Sequence, residues 1–193
     1  MMCEKIEIGI SEKPIECVNG DDAFYLKEGS DYFISLFDGA GHGSSAHKIA
    51  IKSREILTDN QLEELPKAMR YLHESLRGTN GGVAIIGKLN VHSLLFRYVG
   101  IGNIFMCKAG KSIERFMLQQ GIIGYQIRTP VESSVQLVPG DTLILYSDGI
   151  KSNFDLDEYS SFYKDNAQTI AQNIIQRFAK PCDDATCLVI RVK

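Results

Sequence analysis

From Gly82 to Ser147 the chain is a succession of short apolar runs broken by turn residues, and this limits the fold more than any other feature. The runs are "VAIIGKL", "SLLFRYV", "IFMCK", "SIERFM", "SVQLV" and "TLILYS", with "AGK" and "PGD" among the breaks. Runs this short, rich in β-branched and aromatic residues, read as strands, several of them hairpin neighbours in a meander. Upstream, Ile6, Ile8 and Ile10 alternate with Lys5, Glu7 and Gly9 as in a half-buried strand, and "AFYL" is a second strand. Residues 32–37, "YFISLF", lie between Asp31 and Asp38 as a nearly continuous apolar run, the pattern of a buried central strand.

Helical spacing takes over elsewhere. Ala46, Ile49, Ala50, Ser53, Ile56 and Leu57 form one stripe behind a serine cap, and Leu62, Leu65, Met69, Leu72 and Leu76 form a second. The two helices read as an antiparallel hairpin joined through "TDNQ", with the Leu and Met stripe as plain core. Ala167, Ile170, Ala171, Ile174, Ile175 and Phe178 mark a last helix and "TCLVIRV" a last strand, while Lys151 to Asp165 reads as a loop. The expected class is α+β: two mostly antiparallel sheets flanked by helices. The 193 residues, 44% hydrophobic, suit a single domain over 1–193 with one sizeable core.

With 21 basic and 24 acidic residues the formal charge is −3, so nothing favours nucleic acid or an anionic membrane as a partner. No apolar run approaches the roughly 20 residues that span a bilayer, and "MMCEKIEIGI" lacks the features of a secretory signal. The five cysteines Cys3, Cys17, Cys107, Cys182 and Cys187 are odd in number and form no CxxC pair, which disfavours a disulfide framework or a zinc site and fits a cytoplasmic protein. The residues leave the oligomeric state open.

The aspartates fall at the ends of the apolar runs. Asp38 ends "YFISLF" and Asp148 ends "TLILYS", whereas Asp21 precedes "AFYL" and Asp183 with Asp184 precedes "TCLVIRV". In antiparallel sheets one strand starts on the rim where its neighbour ends, so these carboxylates can converge on one edge. Converging carboxylates repel one another unless a cation neutralises them, and an all-oxygen set favours Mg²⁺ or Mn²⁺. Gly39 and Gly149 each follow an aspartate, where a missing Cβ allows a tight turn and lets a carbonyl approach an ion. A single Asp-Gly after a strand is more often only a turn.

The order of "NGDDAFYL", "LFDGAGHG", "VPGDTLILYSDGI" and "CDDATCLVIRV" resembles the successive motifs of the PPM (PP2C-like) phosphatases, specifically the bacterial SpoIIE/RsbU/RsbX branch, from about Gly20 to the C-terminus. The short length, without a sensor module, is most similar to the RsbX type. The resemblance implies a PP2C-like αββα sandwich with two Mn²⁺ or Mg²⁺ ions at one end, and catalysis through Asp38, Asp148 and Asp183. Asp38 matches the bridging aspartate, Gly39 the glycine whose carbonyl binds an ion, Asp148 a further ligand and Asp183 the final metal aspartate, with Asp184 as the near alternative. Asp21 matches an early Gly-Asp motif, bound through water or to an extra ion. The resemblance further implies serine/threonine phosphatase activity and, as partners, phosphorylated STAS-domain proteins of a stressosome-like complex. Ser147 stands where Thr is common, and "IKSN" follows without the acidic residue frequent in relatives; Gly100 and Gly102 match a family turn.

Competing readings are weaker. "GVAIIGKL" has P-loop spacing as far as Lys88, but Leu89 replaces the needed hydroxyl and a strand follows where a helix should start. No cysteine has Arg six positions later, and "DLDEY" lacks the Thr or Val of the aspartyl-phosphate motif. His42 has the chemistry of a general acid or base but is out of register with the His of "DGHG" in eukaryotic relatives, which favours a loop role, and His47, His73 and His92 are surface or packing residues. Two alternatives from other classes are a catalytically weak PPM-like module that binds phosphoproteins, and nucleotide binding where "DGAGHGSS" opens a helix.

Overall fold

The computed structural model describes residues 5–61, 63–151 and 165–193. Cys3, Leu62 of the second helical stripe, and residues 152–164 of the expected loop lie outside them.

One five-stranded sheet has the spatial order β1 (Ile6–Lys13), β12 (Ala185–Val192), β11 (Thr142–Tyr146), β6 (Phe105–Ala109) and β7 (Ile113–Phe116). The other runs β10 (Ser133–Gln136), β5 (Leu95–Ile101), β4 (Gly82–Asn90), β3 (Asp31–Gly39) and β2 (Asp21–Glu28). Every neighbouring pair within the two sheets is antiparallel. A short two-stranded ribbon of β8 (Gly121–Ile122) and β9 (Gln126–Ile127) is bridged to β4 through Gly82 and Ile123.

The sheets stack because their central strands are apolar on both faces. Along β3, Tyr32, Ile34 and Leu36 enter the core between the sheets, while Phe33 and Phe37 point the other way. That outer face is covered by α1 (Gly43–Asp59) and α2 (Leu65–Ser75), through Ala50, Leu57, Met69 and Leu72. In β12, Leu188, Ile190 and Val192 face the inter-sheet core, and Cys187 and Val189 meet Ile170 and Ile174 of α3 (Ala167–Phe178). The result is the expected αββα sandwich. Each fully buried side chain of this size contributes about 1.5–3 kcal/mol, so strands covered on both faces hold the rims in place. Among the described residues no helix is long and apolar enough to cross a membrane.

Local details differ from the expectations. No serine caps α1; the helix follows His42, and its first residue, Gly43, has φ +67°. α3 is capped instead, by the Asn166 side chain accepting from the Thr169 N–H at 2.9 Å. Thr58 and Asp59 of "TDNQ" still belong to α1. β2 starts at Asp21 itself, so this aspartate is a strand residue rather than the one before it.

Candidate active site

Strand register brings the aspartates together. Asp21 and Asp38 are direct partners across the β2–β3 pair. Asp148 lies two residues beyond the end of β11 and Asp183 two before the start of β12, and Tyr146 is paired with Cys187 across those neighbouring strands. One strand ends where the next begins, and the two sheets present these rims to a common cavity. It measures about 390 Å³ and is lined by Asp38, Gly39, His42, Asn103, Asp148 and Asp183, among others.

The electrostatics are those of acids forced together. Burial pushes the Asp38 carboxyl up to about 9, with further upward pressure from the charges of Asp21, Asp148 and Asp183. Burial also raises Asp21, to about 7, against hydrogen bonds from Ser147 and Thr186 that favour its charge. Asp148 is raised by burial first and then by Asp183. Asp21 bears on Asp38 and Asp183 on Asp148 in the same upward direction, as expected of carboxyls held close together. Among the described residues no three His, Cys, Asp or Glu side chains are arranged, as placed, to hold a metal ion. The donor set nevertheless suits one: convergent carboxyls, all oxygen, with Asp21, Asp38 and Asp148 raised above the usual aspartate range, are what a hard divalent cation neutralises.

Supporting residues fix this cluster. Ser147, fully buried, donates to Asp21 Oδ2 at 2.7 Å and accepts from the Thr186 N–H at 2.9 Å, tying β11 and β12 to β2. Asn103 Nδ2 donates to Asp148 Oδ2, and Lys180 Nζ donates to the Asp148 carbonyl. Neither Asn103 nor Lys180 was anticipated. A lone Asn after Gly102 reads as a turn, and Lys180 carries no local pattern at all.

The structure separates the adjacent acids. Asp183 lines the cavity, whereas Asp184 is buried behind it and accepts from the backbone N–H of Ile15 at 2.7 Å and of Gly20 at 2.9 Å. Gly149 also differs from expectation. A Cβ there would lie 1.8 Å from the Asp184 carbonyl oxygen, and its own carbonyl accepts from the Lys180 N–H at 2.8 Å. The residue is a close-packing glycine with its carbonyl already engaged. Gly39 does reach the cavity, and a Cβ on it would meet the Gly20 carbonyl at 2.9 Å.

His42 sits on the cavity lip with Nδ1 2.5 Å from Glu16 Oε1, closer to the site than its expected loop role implied. Glu16 Oε2 also fills the notch left by Gly43, 2.5 Å from where a Cβ would stand. A carboxylate thus occupies the start of α1, where the nucleotide alternative required a phosphate. His47 Nδ1 bonds to the Asn19 carbonyl at 2.8 Å, and the buried His73 accepts the Gly124 N–H at 3.1 Å, both packing roles as expected.

The family model for Stage II sporulation protein E (SpoIIE) matches residues 28–193. The chain belongs to the SpoIIE family. No curated protein matches it by sequence. Solved structures match the fold of this SpoIIE-family chain throughout. One, described as "The bacterial stressosome: a modular system that has been adapted to control secondary messenger signaling", is 25% identical with a TM-score of 0.89, over 97% of this chain and 100% of that one. RsbX in complex with magnesium is 18% identical with a TM-score of 0.84, over 100% and 98% of the two chains. The PP2C phosphatase domain of SpoIIE from Bacillus subtilis, solved with a fragment of its regulatory domain, is 20% identical with a TM-score of 0.79, over 97% and 63%. SpoIIE-family membership makes the chain a PP2C-like protein phosphatase of the PPM branch, a class that acts on phosphoserine and phosphothreonine.

Proposed function

We propose that residues 1–193 form a single cytoplasmic phosphatase domain that removes phosphate from serine or threonine of STAS-domain proteins in a stressosome-like complex, using two Mn²⁺ or Mg²⁺ ions. The observation that carries this reading is the convergence of Asp38, Asp148 and Asp183 on one cavity with Asp21 directly behind Asp38. A phosphoryl group approaching these carboxylates without cations would meet like charge, so the anionic substrate and the acidic cavity are compatible only with positive charge between them. Asp38, Gly39, Asp148 and Asp183 are the residues proposed to hold the ions, with Asp21 in an outer position acting through water. Asp183 is preferred to Asp184, whose oxygens are engaged by two backbone N–H groups. When bound, the ions would neutralise the phosphoryl oxygens and make water a nucleophile near neutral pH.

The chain's own residues do the positioning. Asn103 orients the Asp148 carboxyl, Lys180 holds its backbone, and Ser147 keeps Asp21 against Asp38. The cavity, about 390 Å³, admits a phosphoryl group with its seryl or threonyl carbon and leaves the rest of the substrate protein outside. The stressosome assignment draws support from the similarity to the stressosome chain and to RsbX. It is tested by incubating the protein with phosphorylated STAS proteins, an unrelated phosphoserine protein and a phosphotyrosine peptide, and following phosphate loss by mass spectrometry. Selective loss from the STAS proteins is expected. Equal rates on all substrates would reject dedicated recognition, and a preference for phosphotyrosine would reject the serine/threonine reading.

A further inference from the structure

The β8–β9 ribbon lies beside the acidic cavity and is built as a rigid extension of its rim. Gly82, the register partner of Gly39, exchanges backbone hydrogen bonds with Ile123 at 3.1 and 2.8 Å. Ile123 is fully buried in the core under α1 and α2, and the adjacent Gly124 N–H is bonded to the buried His73 of α2. With its centre clamped in this way, the ribbon holds Ile122 at 43% exposure and Tyr125 at 76%. Large apolar groups kept in solvent by a fixed backbone mark an interaction surface.

Here that surface has a direction. A second depression of about 320 Å³ runs along the ribbon, lined by Ile122, Tyr125, Ile127 and Arg128 among others, and Ile122 also lines the acidic cavity. The two are thus continuous across one side chain. Arg128 is exposed, and among the described residues no carboxylate is paired with it. The ledge therefore offers apolar contact next to the cavity and an exposed positive charge farther along.

We propose that the β8–β9 ribbon is the docking ledge for the polypeptide that carries the phosphorylated residue, taking an extended segment with an apolar side chain over Ile122 and Tyr125 and an acidic one at Arg128. This rests on the phosphatase reading above. A phosphoseryl group in the cavity forces the flanking chain out over the rim, and the ribbon is a part of that rim with exposed side chains to meet it. An aromatic anchor beside a single charge gives selectivity without a deep pocket.

The test uses phosphoserine peptides whose flanking positions are apolar, acidic, basic or glycine, with phosphate release measured for the intact protein and for Tyr125→Ala and Arg128→Glu. p-Nitrophenyl phosphate, which has no flanking chain, serves as the control. Wild type should favour peptides with apolar and acidic flanks by about fivefold to tenfold in kcat/KM. Tyr125→Ala should remove the apolar preference and Arg128→Glu should invert the charge preference, both with unchanged turnover of p-nitrophenyl phosphate. Retained selectivity in both variants would overturn the ledge while leaving the phosphatase reading intact. Absence of turnover on every substrate would overturn that reading, and the ledge with it. Light scattering that showed a dimer abolished by Tyr125→Ala would assign the surface to a second copy of the chain instead.

Discussion

Replacing Asp38 with Asn should stabilise the metal-free protein at neutral pH while ending its activity. The Asp38 carboxyl is raised above the usual aspartate range by burial and by Asp21, Asp148 and Asp183, so the folded state binds a proton that the unfolded chain releases. This favourable contribution is complete at acid pH and is lost as pH rises from the unfolded value near 4 toward the folded one. About three pH units separate that value from pH 7, each worth about 1.4 kcal/mol, which gives a ceiling of about 4 kcal/mol. Water in the open cavity screens part of this, leaving about 1–3 kcal/mol. Asn carries no charge and can still donate to Asp21, its cross-strand partner. Thermal unfolding followed by circular dichroism in excess chelator should therefore show Asp38→Asn melting about 3–10 °C higher than wild type at pH 7, with the gap closing toward pH 4. A variant that melts lower, or a gap that does not shrink on acidification, would refute the argument from carboxyl repulsion.

Asp148→Asn should abolish phosphate release with an unchanged circular dichroism spectrum; normal turnover would mean that the site is misplaced. Asn103→Ala, which frees the Asp148 carboxyl, should lower turnover by about 10- to 100-fold and raise the Mn²⁺ concentration needed for half-maximal rate. Asp184→Ala strands the buried Gly20 N–H and frees the part-buried Ile15 N–H, and should cost about 1–3 kcal/mol in urea unfolding, a loss that a pure metal ligand would not show without metal.

The sandwich was legible in the sequence because its central strands are covered on both faces. "YFISLF" and "TCLVIRV" are continuous apolar runs for that reason, and the helical stripes stand out beside them. The gathering of Asp21, Asp38, Asp148 and Asp183 was legible too, since antiparallel neighbours share rims. Which of Asp183 and Asp184 faces the cavity was not, because adjacent residues point opposite ways and only the register of β12 decides. The start of α1 depends on Glu16, distant in sequence, settling against Gly43, and no local signal carries that. β8 and β9 have two residues each, too short for any periodicity. Asn103 and Lys180 reach Asp148 from other parts of the chain, so their roles exist only in the folded molecule.

The central claim is that divalent cations held by the aspartate cluster drive phosphate removal. The most direct measurement strips the protein with chelator, titrates Mn²⁺ or Mg²⁺ back, and follows phosphate release from a phosphoserine peptide. No turnover without metal and saturable recovery with it are expected; full turnover of the stripped protein in excess chelator would contradict the claim.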